Sequence, residues 1–175
     1  MTSTDIPSGT STSGYFSCGF FGLKLTAHHH HLISIEFLPD ALTLPMSLPA
    51  LPTNHPKNHP ILTEAMKQLT AWLANPHYLF SLPTNPPGTA FRKAVWRQIS
   101  AIPCGETRTY GALAKYLNSA PRAIGQACGD NPLPIIVPCH RVLSASGLGG
   151  FNHSTGNDLL RVKRWLLARE GRHEG

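Results

Sequence analysis

A cysteine, a histidine and an arginine follow one another at Cys139, His140 and Arg141, behind the apolar run 135–137 and Pro138. A thiol close to an imidazole can serve as an activated nucleophile, because the imidazole is a base able to take the thiol proton near neutral pH. The thiol needs that help, since its unperturbed pKa is about 8.5. A cysteine behind an apolar run suits core filling equally well. Residue types alone leave both uses open. Pro134 and Pro138 bracket the run and predict an extended segment. Neighbouring side chains of an extended segment face opposite ways, so His140 is expected to reach Cys139 through a water rather than by contact. A carboxylate to orient His140 must come from elsewhere, and Glu106, Asp130, Asp158 and Glu170 are the candidates in this half of the chain.

The elements that would position this stretch are helical. Phe91, Ala94, Val95 and Ile99 form one apolar helix face, stopped by Pro103. Tyr110, Leu113, Ala114 and Leu117 repeat the helical spacing, and a break at Asn118 and Ser119 predicts a cap at Ser119 with Pro121 opening the next helix. That next helix places Ala120, Ala123, Ile124, Ala127 and Cys128 on one face and stops at Gly129. Two short helices about one tight turn have the outline of a helix-turn-helix. The second is built of Ala, Gly and Gln, with Arg122 its one basic residue. Small side chains allow close backbone approach, which suits a minor groove about 6 Å wide, and they also ease plain helix packing.

The N-terminal half reads differently. Residues 1–14 are rich in Ser, Thr and Gly and are expected to be disordered. Aromatic and aliphatic residues recur with strand character over 15–25 and 32–38, with the histidines of 28–31 as the turn between them. Alternate side chains of an extended turn diverge, so these four histidines do not by spacing make a metal site. Residues 39–60 hold six prolines and predict a long irregular connection. Leu62, Met66, Leu69 and Leu73 then mark a helix ended by Pro76, and residues 82–88 read as a stiff linker. The expected organisation is thus a disordered 1–14, a domain over 15–81, the linker 82–88 and a second domain over 89–175.

Charge divides along the same line. Residues 89–175 carry 12 of the 15 basic and 5 of the 9 acidic residues, which points to a polyanionic partner, nucleic acid first. No apolar run approaches the roughly 20 residues of a membrane-spanning helix, and no signal-peptide pattern opens the chain. Four cysteines without CxxC spacing read as free thiols in a reducing compartment, so the expectation is cytoplasmic, with no zinc site indicated.

The segments GTAFRKAVWRQISAIPCGETRTYGALA, RAIG, GDNPLPIIVPCHRV and KRWLLAREG, in this order over most of 88–171, resemble the O6-alkylguanine-DNA alkyltransferases (methylated-DNA–protein-cysteine methyltransferases). The resemblance implies an α+β chain, with a ribonuclease H-like N-terminal antiparallel sheet and helix and a C-terminal winged helix-turn-helix domain. It implies repair of O6-alkylguanine, and of O4-alkylthymine, in double-stranded DNA by base flipping and a single irreversible transfer to cysteine. Cys139 matches the alkyl acceptor, His140 its water-mediated base, and Glu170 the carboxylate that orients the histidine. Tyr110 matches the tyrosine that assists flipping and protonates the departing guanine, and Arg122 the arginine inserted into the stack. Ala123, Gly125, Gln126 and Arg141 fall at DNA-contact positions; Asn131, Pro138, Val142, Phe151 and Asn152 fall at bracing or pocket positions. No metal or cofactor is implied, and a monomer that can act cooperatively on DNA is. Phe151 stands where the family usually has tyrosine, and the loop from there to Lys163 is several residues longer, which touches one wall of the guanine pocket. Related proteins that bind the lesion without repairing it usually replace the cysteine, commonly with tryptophan, so Cys139 argues against that alternative.

Overall fold

Leu23, Leu25 and Ala27 alternate with Lys24 and Thr26, and the three apolar residues are fully buried. This period of two makes Gly22–His28 a central strand with one face on a core. The computed structural model describes residues 11–38, 59–153 and 157–171. The chain divides into two compact units, Met1–Pro87 and Gly88–Gly175, and its architecture is α+β.

In the first unit, β1 (Thr12–Ser17), β2 (Gly22–His28) and β3 (His31–Leu38) form an antiparallel sheet in the order β1-β2-β3. The expected single strand over 15–25 is therefore two strands, separated by a turn closed by Cys18 N–H on Phe21 O. β1 also begins inside the stretch expected to be disordered, while residues 1–10 lie outside the described residues. The connection 39–60 lies almost wholly outside them too. The histidine turn joins β2 to β3: His28 is buried opposite His31, and His29 and His30 are exposed at the tip.

Helix α1 (Pro60–Ala74) opens on proline, whose missing N–H costs nothing in a first turn, and buries Leu62, Ala65, Leu69 and Trp72. The expected face is thus rotated, with Met66 and Leu73 at its margin. α1 packs on all three strands, and a side chain at Gly14 would sit 2.8 Å from Met66 Cε, so the glycine allows the close approach.

The second unit begins with α2 (Ala90–Ser100), N-capped by Thr89, whose hydroxyl accepts from Arg92 N–H at 3.3 Å. Val95, Trp96 and Ile99 are buried, whereas Phe91, expected in that face, is exposed. The Trp96 indole donates to Ala127 O at 2.8 Å and ties α2 to α4 (Pro121–Gly129). Between them β4 (Arg108–Thr109) leads into α3 (Tyr110–Tyr116), capped by Thr109. α3 and α4 pack closely about residues 117–120 as a helix-turn-helix pair. The expected cap at Ser119 is corrected: the N-cap is Ala120, with no side-chain cap bond.

The segment before Cys139 is not extended. Pro134 pairs with Val137 around a turn in which Ile135 takes a φ of +76°, a left-handed conformation unusual for a β-branched residue. A network holds it there: Val137 N–H donates to Leu133 O, Asn131 Nδ2 to Val137 O, and Leu133 N–H to Asn131 Oδ1. A 3-10 turn follows at Cys139–Arg141, then β5 (Val142–Leu143), which pairs in parallel with β4, and finally α5 (Asn157–Arg169).

Candidate active site

The β4–β5 ladder sets Arg108 beside Val142 and Thr109 beside Leu143. It thereby brings Tyr110, the first residue of α3, to the stretch that follows the Cys139 turn. Tyr110, Gly125, Cys139, Phe151 and Asn152 line one pocket of about 280 Å³, together with Cys128, Gly129, Gly150 and His153. Ligand pockets run from roughly 300 Å³ upward, so this one suits a single small ring system.

Cys139 is buried, and Asn131 Nδ2 donates to its Sγ at 3.2 Å. Burial pushes the thiol up, and the Asn131 bond, the Lys163 ammonium and the backbone N–H groups of Cys139 and His140 draw it only partly back. The resting site therefore holds a thiol whose anion is already partly solvated by protein donors. Asn131 thus bonds both this sulfur and the turn before it.

Because the chain turns at Cys139, the simple alternation expected for His140 does not apply. His140 is buried with Nε2 2.8 Å from Glu170 Oε1, so Glu170 is the orienting carboxylate among the four candidates. Burial raises the Glu170 carboxyl, but bonds from His140 and Arg141 outweigh it and hold the group down at about 2. An ionised Glu170 requires the proton on Nε2, leaving Nδ1 as the lone-pair nitrogen. That Nδ1 is buried and has no hydrogen-bond partner among the described residues. Burial lowers the imidazole more than Glu170 raises it, so His140 is neutral and able to accept a proton.

Arg141 is corrected from the DNA contacts to the scaffold. Its Nε and Nη2 grip Glu170 at 2.9 to 3.2 Å and its Nη1 donates to Ile102 O at 2.6 Å. Gly105 N–H completes the carboxylate's set at 3.2 Å. Gly105 has a φ of +81°, and a Cβ there would lie 3.0 Å from Glu170 O, so both backbone and space call for glycine.

Tyr110 donates from its hydroxyl to Gly150 O at 3.3 Å. Burial, then the neighbouring Cys128 and Cys139 thiols, push the phenol far up, so it stays protonated as a potential donor. Arg122 and Gln126 are exposed on α4, Ala123 and Gly125 half-buried. Pro138 caps the 3-10 turn, and Val142 is fully buried outside the pocket lining. Phe151 is buried, with Asn152 half-buried beside it.

Lys163 escaped the sequence reasoning. It is fully buried, and Nζ donates to Val142 O, Leu148 O and Gly150 O at 2.8, 2.7 and 3.0 Å. Three protons thus fasten one pocket-forming segment to α5. The available signal was its position on the apolar stripe of Val162, Leu166 and Leu167.

Residues 90–172 match the family profile described as 6-O-methylguanine DNA methyltransferase, DNA binding domain. A methylated-DNA–protein-cysteine methyltransferase of Methanosarcina acetivorans is 43% identical over 124 residues, 69% of this chain and 76% of that protein. The chain belongs to the methylated-DNA–protein-cysteine methyltransferase family. Among solved structures of this family, the Mycobacterium tuberculosis O6-methylguanine methyltransferase superposes with a TM-score of 0.70 at 32% identity, covering 92% of this chain and 93% of that one. The M. tuberculosis protein in complex with DNA gives the same score and identity over 92% of each chain. All the groups described above, from Tyr110 to Glu170, fall within the stretch that matches the methyltransferase profile.

Proposed function

We propose that this protein repairs double-stranded DNA by taking the alkyl group of O6-alkylguanine, and of O4-alkylthymine, onto Cys139. The reading rests on one observation above all: a pocket cysteine is followed by a buried histidine whose Nε2 is held by an ionised glutamate and whose Nδ1 is left to accept a proton. The basic balance of residues 89–175 and the small-residue helix α4 favour a DNA partner, approached through the minor groove. The target base must leave the stack to enter a pocket of this kind, and Arg122, exposed on α4, is the side chain offered to the space it vacates.

The chemistry balances as a single displacement. The Cys139 thiol gives its proton to His140 Nδ1 through a bridging water, and the sulfur forms a bond to the alkyl carbon as the carbon–O6 bond breaks. The guanine takes the displaced electron pair and a proton from the Tyr110 hydroxyl, and the phenolate, disfavoured by burial, regains a proton released by the His140 imidazolium through water. A thioether is a poor leaving group, so nothing in the site regenerates the thiol, and each molecule, acting as a monomer, reacts once.

Intact-protein mass spectrometry after mixing with duplex DNA containing O6-methylguanine tests this. The expected result is one methyl group per molecule, mapped to Cys139 and absent in Cys139→Ser. Wild-type protein that binds the lesion without gaining mass would instead be a lesion-recognition protein.

A further inference from the structure

His153 lies in the lengthened segment after Phe151 and lines the same pocket as Cys139. Its ring is laid on the end of α4 so closely that a Cβ at Gly129 would sit 2.5 Å from it. Nε2 donates to Asp130 Oδ1 at 2.8 Å, and the other Asp130 oxygen is paired with Arg92 of α2. Asn152 and His153 hold φ values of +49° and +58°. Two successive non-glycine residues in the left-handed region persist only where their surroundings hold them. Buried Phe151 anchors one side and the Asp130 bond the other.

We infer that His153, latched by Asp130, is a specificity-determining residue that limits the size of the alkyl group reaching Cys139. The proposal rests on the transfer activity put forward above. The half-exposed His153 ring fills the edge of the pocket, and a larger alkyl group needs that space. A polar contact this exposed contributes little, so the latch biases the pocket against bulk without closing it. Arg92 reinforces the latch by fixing Asp130, so three elements (α2, the end of α4 and the segment after Phe151) share in selectivity without touching the reacting atoms.

The experiment compares single-turnover transfer from O6-methylguanine and O6-benzylguanine in oligonucleotides of identical sequence. Expressing the result as a ratio cancels effects on DNA binding. His153→Ala is expected to raise the benzyl-to-methyl rate ratio about tenfold, the low end of what one pocket contact discriminates. Asp130→Ala should move the ratio the same way, and the double variant no further than His153→Ala, because both remove one device. Asp130→Asn keeps an acceptor for Nε2 and should retain most of the wild-type ratio. Rates that fall equally for both lesions, or ratios that add in the double variant, overturn the proposal. Wild-type protein that transfers neither group refutes the underlying activity instead.

Discussion

His140 Nε2 and Glu170 Oε1 stand 2.8 Å apart although thirty residues separate them along the chain. Arg141 grips the same carboxylate, so one buried glutamate at the end of α5 fixes two consecutive residues of the Cys139 turn. The pairing sets the imidazole tautomer and determines which nitrogen can act as a base.

Glu170→Gln should therefore impair chemistry more than binding. The amide no longer requires the proton on Nε2 and holds Arg141 less firmly. Single-turnover transfer is expected to slow by about a hundredfold or more, the scale of a lost general base, with lesion affinity changed far less. Parallel losses in both would assign Glu170 a purely structural part.

Acid stability should carry the signature of the same pair. His140 is lowered from its ordinary 6.5 and Glu170 from 4.5 to about 2, so the unfolded chain binds protons more readily at both. Their contribution is full above pH 6.5 and is lost as pH falls, the His140 share first and the Glu170 share between 4.5 and about 2. Urea midpoints across this range should fall steadily in the wild type, and Glu170→Gln should flatten the lower part. An unchanged profile in the variant would deny Glu170 its ionised, paired state.

Lys163→Met should destabilise the protein by about 3 kcal/mol, since three carbonyls lose their buried donor. Lys163→Arg should not rescue it, because a planar guanidinium cannot direct three protons along those lines in the same space. Denaturant melts measure the loss. A neutral Lys163→Met would mean that water replaces the ammonium without penalty.

Arg122→Ala should slow transfer from O6-methylguanine in duplex DNA by roughly tenfold or more, as the loss of one stacking guanidinium allows. Reaction with free O6-benzylguanine base should hardly change, since the free base needs no flipping. Equal losses on both substrates would remove Arg122 from the flipping step.

Much of this protein was legible along the chain. The extent of helix α1 follows from apolar spacing ended by Pro76. The α3–α4 pair follows from two short apolar faces, and the β2–β3 hairpin from two strand patterns about the histidine turn. The errors came where the decisive partner lies elsewhere. Ile135 turns left-handed against its own propensity because Asn131 and Leu133 bind the turn around it. Phe91 is exposed because Trp96, hydrogen-bonded to α4, takes the core position on α2.

The sequence by itself determined the Cys139–His140–Arg141 run as the candidate for chemistry, the basic half that suits DNA and the order of the elements, since composition, period and turn chemistry are properties of near neighbours. Residue spacing left Glu106, Asp130, Asp158 and Glu170 open and the family resemblance singled out Glu170; the tertiary structure then sets Glu170 against His140. It also decided that Arg141 faces inward and that Lys163 and His153 belong to the pocket's frame. Each of those assignments is a hydrogen bond between residues 13 to 39 positions apart. Such bonds depend on the path of the whole chain, because a buried charge or polar nitrogen takes whichever partner packing brings within 3 Å.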